Sequence, residues 1–231
     1  MQPSRLQSLP LSPQSFRLQK PVLNIFDDFT FFDPRADIDV SRRNLPHWQQ
    51  EGRTYFITFR LNDSLPQEKL EALRRDRAEW LNKNPEPWPS TLRSEYHELF
   101  SKKVQEWLDA GHGSCLLKDP LCSRIVADAL RHFDGERYDL AAWVVMPNHV
   151  HALVTPRTGF ALGKILHSWK SFSAHEINKQ TGRKGDVWQH ETYDHIVRDP
   201  DSLWHFVKYI VDNPRQAGLH VPHVESRIKA T

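Results

Sequence analysis

The stretch 143–155 constrains the fold of this chain more than any other segment. It consists of two apolar, β-branched runs joined by Pro147-Asn148. Val, Ile and aromatic residues favour strands, and a Pro-Asn pair between two such runs favours a tight turn. The segment therefore predicts an antiparallel hairpin with strands over about 138–146 and 149–154.

Two histidines begin the second strand of this hairpin, in the order His149-Val150-His151. Because side chains alternate along a strand, His149 and His151 lie on one face, while Val150, Ala152 and Val154 lie on the other and can be buried. Two imidazoles side by side on a rigid strand can bind one divalent metal ion. Histidines at strand ends are also often only hydrogen-bonded, so the pair alone is a weak signal.

Composition indicates a globular chain. Its 231 residues are 26% charged and 11% aromatic, which fits one or two domains. The net charge of +2 neither requires nor excludes a polyanionic partner. Cys115 and Cys122 form no C-x-x-C motif, which favours a reducing, cytoplasmic setting, and no apolar run is long enough to predict a membrane helix.

Periodicity predicts an α+β order of elements. After a strand at 54–61, helices are expected over about 66–83, 90–110 and 119–133, then the hairpin, a helix at 162–179, an extended segment at 192–197 and a helix at 201–212 that Asn213-Pro214 ends. We expect residues 1–50 to form a partly disordered N-terminal extension. Residues 1–20 are expected to be a loosely docked tail or, as the weaker alternative, a basic nucleic-acid arm. Residues 221–231 are expected to be a C-terminal tail.

The strongest local basic bias lies between residues 157 and 190, a segment that contains six Lys or Arg residues and two acidic residues. Lys164 and Lys170 lie on the helix expected there. A solvated helix face and a DNA-contacting face explain this bias equally well.

The last helix offers a third ligand for a metal held by two histidines. Tyr209 and Asn213 are four residues apart and so share one helix face, at the edge of the apolar stripe. The Asn213 side-chain oxygen can then join the metal. Asn-Pro is also a common helix stop, and Tyr209 can instead be a half-buried core residue.

Four motifs together closely resemble the REP-associated tyrosine transposases, of the single-tyrosine HUH transposases of bacterial insertion sequences. They are the segment 143–151, Val187-Trp-Gln, Tyr193-Asp-His-Ile-Val-Arg198 and the segment 209–218. They occur in the family's order and spacing, and the resemblance covers 54–61 and about 119–219.

The resemblance implies a ferredoxin-like antiparallel sheet flanked by helices, within a domain spanning 51–220. It implies that His149, His151 and Asn213 bind Mg²⁺ or Mn²⁺ and that Tyr209 is the nucleophile. The implied activity is the cleavage and rejoining of single-stranded DNA through a phosphotyrosine, often at palindromic hairpin repeats. Tyr193, His195 and Arg198 match a motif expected to orient DNA or support the site.

Some features depart from that pattern or leave alternatives open. About fifty residues, 66–118, separate the first strand from the next matching helix and are expected to be a helical insertion that shapes DNA specificity, covers the sheet or forms a homodimer. Tyr193 is a competing nucleophile, disfavoured because it lacks a ligand at helical spacing. Other possible functions are a replication-type nickase, a hairpin-binding protein without catalysis, and a phosphodiesterase that uses water.

Overall fold

The computed structural model describes residues 29–36, 39–42, 46–85 and 87–228. Its main sheet has five antiparallel strands in the order β6-β3-β5-β4-β7, and a separate hairpin pairs β1 with β2. The strand bounds are β1 Asp39–Arg42, β2 Pro46–Gln49, β3 Tyr55–Arg60, β4 Tyr138–Val145, β5 His149–Pro156, β6 Tyr193–Ile196 and β7 Val224–Ser226. The predicted α+β class with an antiparallel sheet flanked by helices is therefore confirmed.

The helices lie between these strands in the predicted order. Their bounds are α1 Gln67–Lys83, α2 Ser90–Tyr96, α3 Lys103–Asp109, α4 Pro120–Arg131, α5 Leu162–Thr181 and α6 Pro200–Gln216, with a π-helical turn His97–Lys102 between α2 and α3. The Asp119 carboxylate caps α4 by accepting hydrogen bonds from the backbone N–H groups of Leu121 and Cys122. None of the described helices is long and apolar enough to cross a membrane.

The two faces of the main sheet are covered by different elements. On one face, the alternate residues Val150, Ala152 and Val154 of β5 pack in a core with α4 and α5, as the alternation predicts. On the opposite face, which we call the site face, α6 packs its stripe of Leu203, Val207 and Ile210 against the sheet. His149 and His151 lie on the site face.

The predicted end of the last helix is wrong by one turn. Helix α6 runs through Pro214 and ends at Gln216. Proline lacks one N–H donor and crowds the carbonyl group four residues earlier. Because Pro214 lies in the last turn of α6, only one backbone hydrogen bond near the helix end is lost. Ala217 N–H donates to Asn213 C=O and Leu219 N–H to Pro214 C=O, which close the helix end. Asn213 therefore remains helical, one turn from Tyr209.

The segment between β3 and α4 contains α1, α2 and α3, where the sequence predicts a helical insertion. None of the residues of α1 is buried, so this helix lies on the surface. The insertion returns to the sheet at Gly113, whose φ is +86°. A β-carbon at Gly113 would lie 2.3 Å from the carbonyl oxygen of Asp63, so only glycine fits this approach of two backbones.

The structure describes the C-terminal segment through residue 228 but not the first 28 residues. Residues 1–28, and so the tail expected at 1–20, lie outside the described residues. At the other end, β7 of the expected tail pairs with β4 and extends the sheet.

We expect Gly113→Ala to destabilise the fold more than Gly111→Ala. Both glycines have positive φ, but a β-carbon at Gly111 meets nothing within 4 Å. Gly111→Ala should lower the free energy of unfolding by about 1–2 kcal/mol, the cost of the left-handed conformation. Gly113→Ala should cost at least about 1 kcal/mol more, because backbone must shift. Urea denaturation measures both, and equal losses would contradict a rigid contact at Gly113.

Candidate active site

The two histidines of β5 meet at the end of the strand. Both side chains are fully buried, and the Nε2 atoms of His149 and His151 are 2.9 Å apart. Their rings are nearly perpendicular, at 72°. Asn148 contacts Nδ1 of His149, and Thr58 contacts Nδ1 of His151. Both rings are therefore held on the side opposite to the Nε2 atoms.

The hydrogen bonds of Asn148 determine the tautomer of His149. Its Nδ2 donates to the carbonyl oxygen of His112, at 3.1 Å, which orients the amide. The Asn148 Oδ1 atom therefore faces His149 Nδ1, at 2.7 Å. Because an amide oxygen only accepts, Nδ1 carries the proton and Nε2 presents a lone pair.

Thr58 holds His151 and permits two tautomers. Its Oγ1 lies 2.7 Å from His151 Nδ1. When the hydroxyl donates, His151 carries its proton on Nε2 and donates it to His149 Nε2. When the hydroxyl accepts, both Nε2 lone pairs are free for a metal. A hydroxyl is suited to this position because it can do either.

Burial keeps both imidazoles neutral. It lowers the pKa of His149 to about 3. It also holds the pKa of His151 well below the ordinary value, and the neighbouring His149 lowers that pKa further. Asp109 Oδ1 lies 3.7 Å from His149 Nε2, within ion-pair distance. With a neutral imidazole that contact is no ion pair, so the carboxylate lacks a cation there.

Helix α6 brings Tyr209 and Asn213 to the histidine pair within one chain. The Tyr209 hydroxyl lies 3.4 Å from His151 Nε2, and the two rings are 5.1 Å apart between centroids. Asn213 is buried, and its Nδ2 donates to Asp109 Oδ1 at 3.1 Å. Its Oδ1 has no hydrogen-bond partner in the described part of the chain. The four residues singled out by the sequence thus lie together, while their roles stay predictions.

Asp109, at the end of α3, is a site residue that the sequence analysis missed. One carboxylate oxygen of Asp109 and one nitrogen each of His149 and His151 all lie within 4.8 Å of one another. Burial raises the pKa of Asp109, whereas hydrogen bonds with Asn213 and Tyr209 lower it. Nothing in the sequence distinguishes it from a solvated helix acid, because its position depends on how the insertion folds back over the sheet.

These side chains fit a divalent metal ion. Two nitrogens each about 2.1 Å from one ion at right angles are about 3 Å apart, close to the observed separation. The orphaned Asn213 Oδ1 and the Asp109 carboxylate supply oxygen atoms beside them. A mixed set of imidazole and oxygen donors suits a divalent cation. His149, His151, Asn213 and Asp109 are thus the residues that would hold the ion.

The Tyr209 hydroxyl is protonated in this environment. Burial, followed by the negative charge of Asp109, raises the pKa of Tyr209 above its ordinary value. A neutral phenol is a weak nucleophile, so Tyr209 requires a nearby positive charge to react. The position that His149, His151, Asp109 and Asn213 surround is where that charge would act.

The remaining predicted residues are placed at different distances from this centre. Tyr193 and His195 of β6 share the site face, but Tyr193 contacts Phe56 and His195 contacts Phe206. Arg198 is exposed beyond the strand end. Lys164 and Lys170 are on α5, which covers the opposite face of the sheet.

Lys170 has a structural role in addition to any contact with DNA. Its Nζ donates to the carbonyl oxygens of Gln189 and His190 and to the Thr192 hydroxyl. It therefore holds the segment that leads into β6.

We expect Thr58→Val to weaken metal binding without removing a ligand. Valine keeps the shape of threonine but cannot hold Nδ1 of His151 in either tautomer. Loss of such a supporting partner typically costs about 10- to 100-fold in metal affinity. Calorimetric titration with Mn²⁺ checks this. Thr155→Val, which alters a Thr–Thr contact at the far end of β5, is the control and should leave the affinity unchanged. Equal affinities for the two variants would contradict the role of Thr58.

Comparisons with known proteins agree with the motifs. Residues 118–213 match the family model described as IS200-like transposase. The REP-associated tyrosine transposase of Escherichia coli (strain K12) is 32% identical over 85 residues, covering 35% of this chain and 47% of the relative. The chain thus spans about half the length of the curated relative that it matches.

Two solved structures share weaker similarity. A REP-associated tyrosine transposase bound to a REP hairpin aligns over 77% of this chain and 79% of its own, at 18% identity and a TM-score of 0.39. A Deinococcus radiodurans R1 protein described as a transposase aligns over 71% and 98%, at 15% identity and a TM-score of 0.31. The family match and the curated relative confirm the resemblance, and residues 118–213, which match the IS200-like transposase model, carry His149, His151, Tyr209 and Asn213.

Proposed function

We propose that this chain is a metal-dependent enzyme that cleaves and rejoins single-stranded DNA through a phosphotyrosine. The observation that carries the proposal is the Tyr209 hydroxyl, 3.4 Å from His151 Nε2. A tyrosine beside a set of metal-binding side chains has the parts that a phosphoryl transfer needs: a nucleophile and a place for positive charge. The match over residues 118–213 supports the same class of reaction.

Each residue has a defined task in this proposal. A bound Mg²⁺ or Mn²⁺ supplies positive charge at the scissile phosphate and beside the phenol. His149, His151, Asn213 and Asp109 hold that charge in place. Tyr209 loses its proton to water and attacks phosphorus, so that an Oη–P bond forms and the P–O3′ bond breaks. The leaving 3′ oxygen takes a proton from water and departs as a 3′-hydroxyl. Attack by an incoming 3′-hydroxyl reverses the step and releases Tyr209.

The proposed substrate is DNA containing a palindromic hairpin repeat. The matched relative is described as REP-associated, and one structurally similar protein is bound to a REP hairpin. The site needs no second copy to bring the tyrosine to the histidines, because Tyr209 and His151 meet within one chain. A homodimer, if it forms, would therefore serve another purpose than completing this pair.

Incubation with labelled hairpin DNA and Mn²⁺ tests the proposal. We expect a covalent protein–DNA adduct that resists denaturation, disappears in Tyr209→Phe and persists in Tyr193→Phe. Phenylalanine keeps the ring packing and removes only the attacking oxygen, so the loss of the adduct identifies the nucleophile. Adduct lost only in Tyr193→Phe would transfer the role to that residue.

Other outcomes select the alternatives. Tight hairpin binding with no adduct would favour a binding protein without catalysis. Cleavage that persists in both variants would favour a phosphodiesterase that uses water. A stable nick without rejoining would favour a replication-type nickase, since that enzyme shares the same site.

A further inference from the structure

A cavity lies between the insertion and the site face, and we call it the insertion pocket. Its volume is about 340 Å³, within the range of about 300–1,000 Å³ that is usual for ligand sites. Thr58, Arg60 and Tyr193 line it from the sheet. Residues of α1 and of the segment from α2 to α3 form its other walls, among them Arg74, Arg77, Tyr96, Phe100 and Leu108.

The insertion pocket is rich in positive charge. Arg60, Arg74 and Arg77 line it, against Glu191 as the acid among the described lining residues. Within the described chain, none of these three guanidinium groups forms an ion pair. Arg60 is half-buried and donates only to the Ser64 hydroxyl and the Leu61 carbonyl oxygen. Arg77 is also half-buried, whereas Arg74 is exposed at the rim. Partial burial of the Arg60 and Arg77 guanidinium groups without an anion is costly, so the arrangement favours an anionic ligand.

Two further observations support a missing anion. The buried Nε of Arg77 has no hydrogen-bond partner among the residues that the structure covers. Burial, followed by the charge of Arg74, lowers the pKa of Arg60 to about 10. Arg60 and Arg74 line the same pocket, and their like charges repel each other. A phosphate between them would relieve this repulsion, because guanidinium binds phosphate strongly.

Aromatic rings stand beside these charges. The Arg77 guanidinium lies over the Tyr96 ring, 5.6 Å from its centroid, and Phe100 is 5.1 Å from Tyr96 between centroids. Tyr193 lines the sheet side of the pocket. Aromatic rings next to arginines are the usual means by which proteins bind unpaired bases, through stacking on the ring and contact with the backbone phosphate.

The insertion pocket adjoins the candidate active site. Thr58 lines the pocket and bonds to His151 Nδ1. Arg60 pairs with His149 in the register of β3 and β5. Leu108 lines the pocket and directly precedes Asp109. The pocket and the candidate site therefore share residues of β3 and of the end of α3, so nucleotides next to a phosphate at the site would be near the pocket.

We propose that the insertion pocket binds an unpaired nucleotide of the DNA strand next to the scissile phosphate. The arginines contact its phosphate, and its base packs on the aromatic side chains. This inference rests on the proposed function, since it takes single-stranded DNA as the substrate. It gives the insertion the task of selecting DNA with an unpaired segment beside the hairpin.

The test compares Arg74→Glu with Arg75→Glu in two DNA-binding titrations. Both residues lie on α1, but Arg75 is outside the pocket lining and its side chain is 71% exposed. One DNA is a hairpin with a single-stranded flank and the other is the same hairpin with a blunt end. We expect Arg74→Glu to weaken binding of the flanked DNA about tenfold relative to the blunt DNA. Arg75→Glu should change the two affinities alike.

A wild-type protein that binds both DNAs equally would overturn the proposal, as would an Arg74→Glu variant that loses affinity for both alike. A photoreactive thymine in the flank provides an independent reading, since it should crosslink to the peptide holding Tyr96 or Phe100. Crosslinks confined to other segments would also overturn it.

The two proposals fail separately. A phosphotyrosine adduct with no flank preference in wild type would defeat only the insertion pocket. A flank preference that Arg74→Glu removes, without any adduct, would defeat only the strand-cleaving activity.

Discussion

The close approach of two neutral imidazoles is the interaction on which the rest of the candidate site depends. His149 and His151 are buried on one face of the sheet, with their Nε2 atoms 2.9 Å apart. Asn148 and Thr58 hold the far side of each ring, so neither ring can turn away. Two nitrogen atoms fixed in this way, beside a carboxylate and an amide oxygen, form a preorganised site for a cation. Tyr209 is a candidate nucleophile only because α6 places its hydroxyl beside this pair.

The insertion is part of the same site, although it lies between the segments that carry the family motifs. Asp109 comes from its last helix and binds the Asn213 side chain, so the insertion contacts both the histidine pair and α6. His112 lies three residues after the end of α3, and its carbonyl oxygen accepts the hydrogen bond that orients Asn148. Loss of the insertion would therefore remove a carboxylate and loosen His149. The insertion therefore supports the histidine pair both through Asp109 and through His112.

Local patterns predicted the parts of the site that depend on local geometry. Period-two alternation placed His149 and His151 on one face, and the four-residue spacing placed Tyr209 and Asn213 one turn apart. Asp109 could not be found in this way, because its contacts join residues about 40 and 100 positions apart through tertiary folding. Asn213-Pro214 predicts a helix stop, yet α6 continues to Gln216 because a proline in the last turn removes only one backbone hydrogen bond. Lys170 was a surface candidate, but its bonds to the segment 189–192 depend on a distant loop.

If the buried histidine pair is a metal centre, as we propose, crystals grown with Mn²⁺ will show it by anomalous diffraction. The structure predicts one strong peak within bonding distance of both Nε2 atoms of His149 and His151, with Asn213 or Asp109 supplying oxygen. His149→Ala crystals grown in the same way should lack that peak. Full-occupancy Mn²⁺ elsewhere, with the two Nε2 atoms still hydrogen-bonded to each other, would contradict the account.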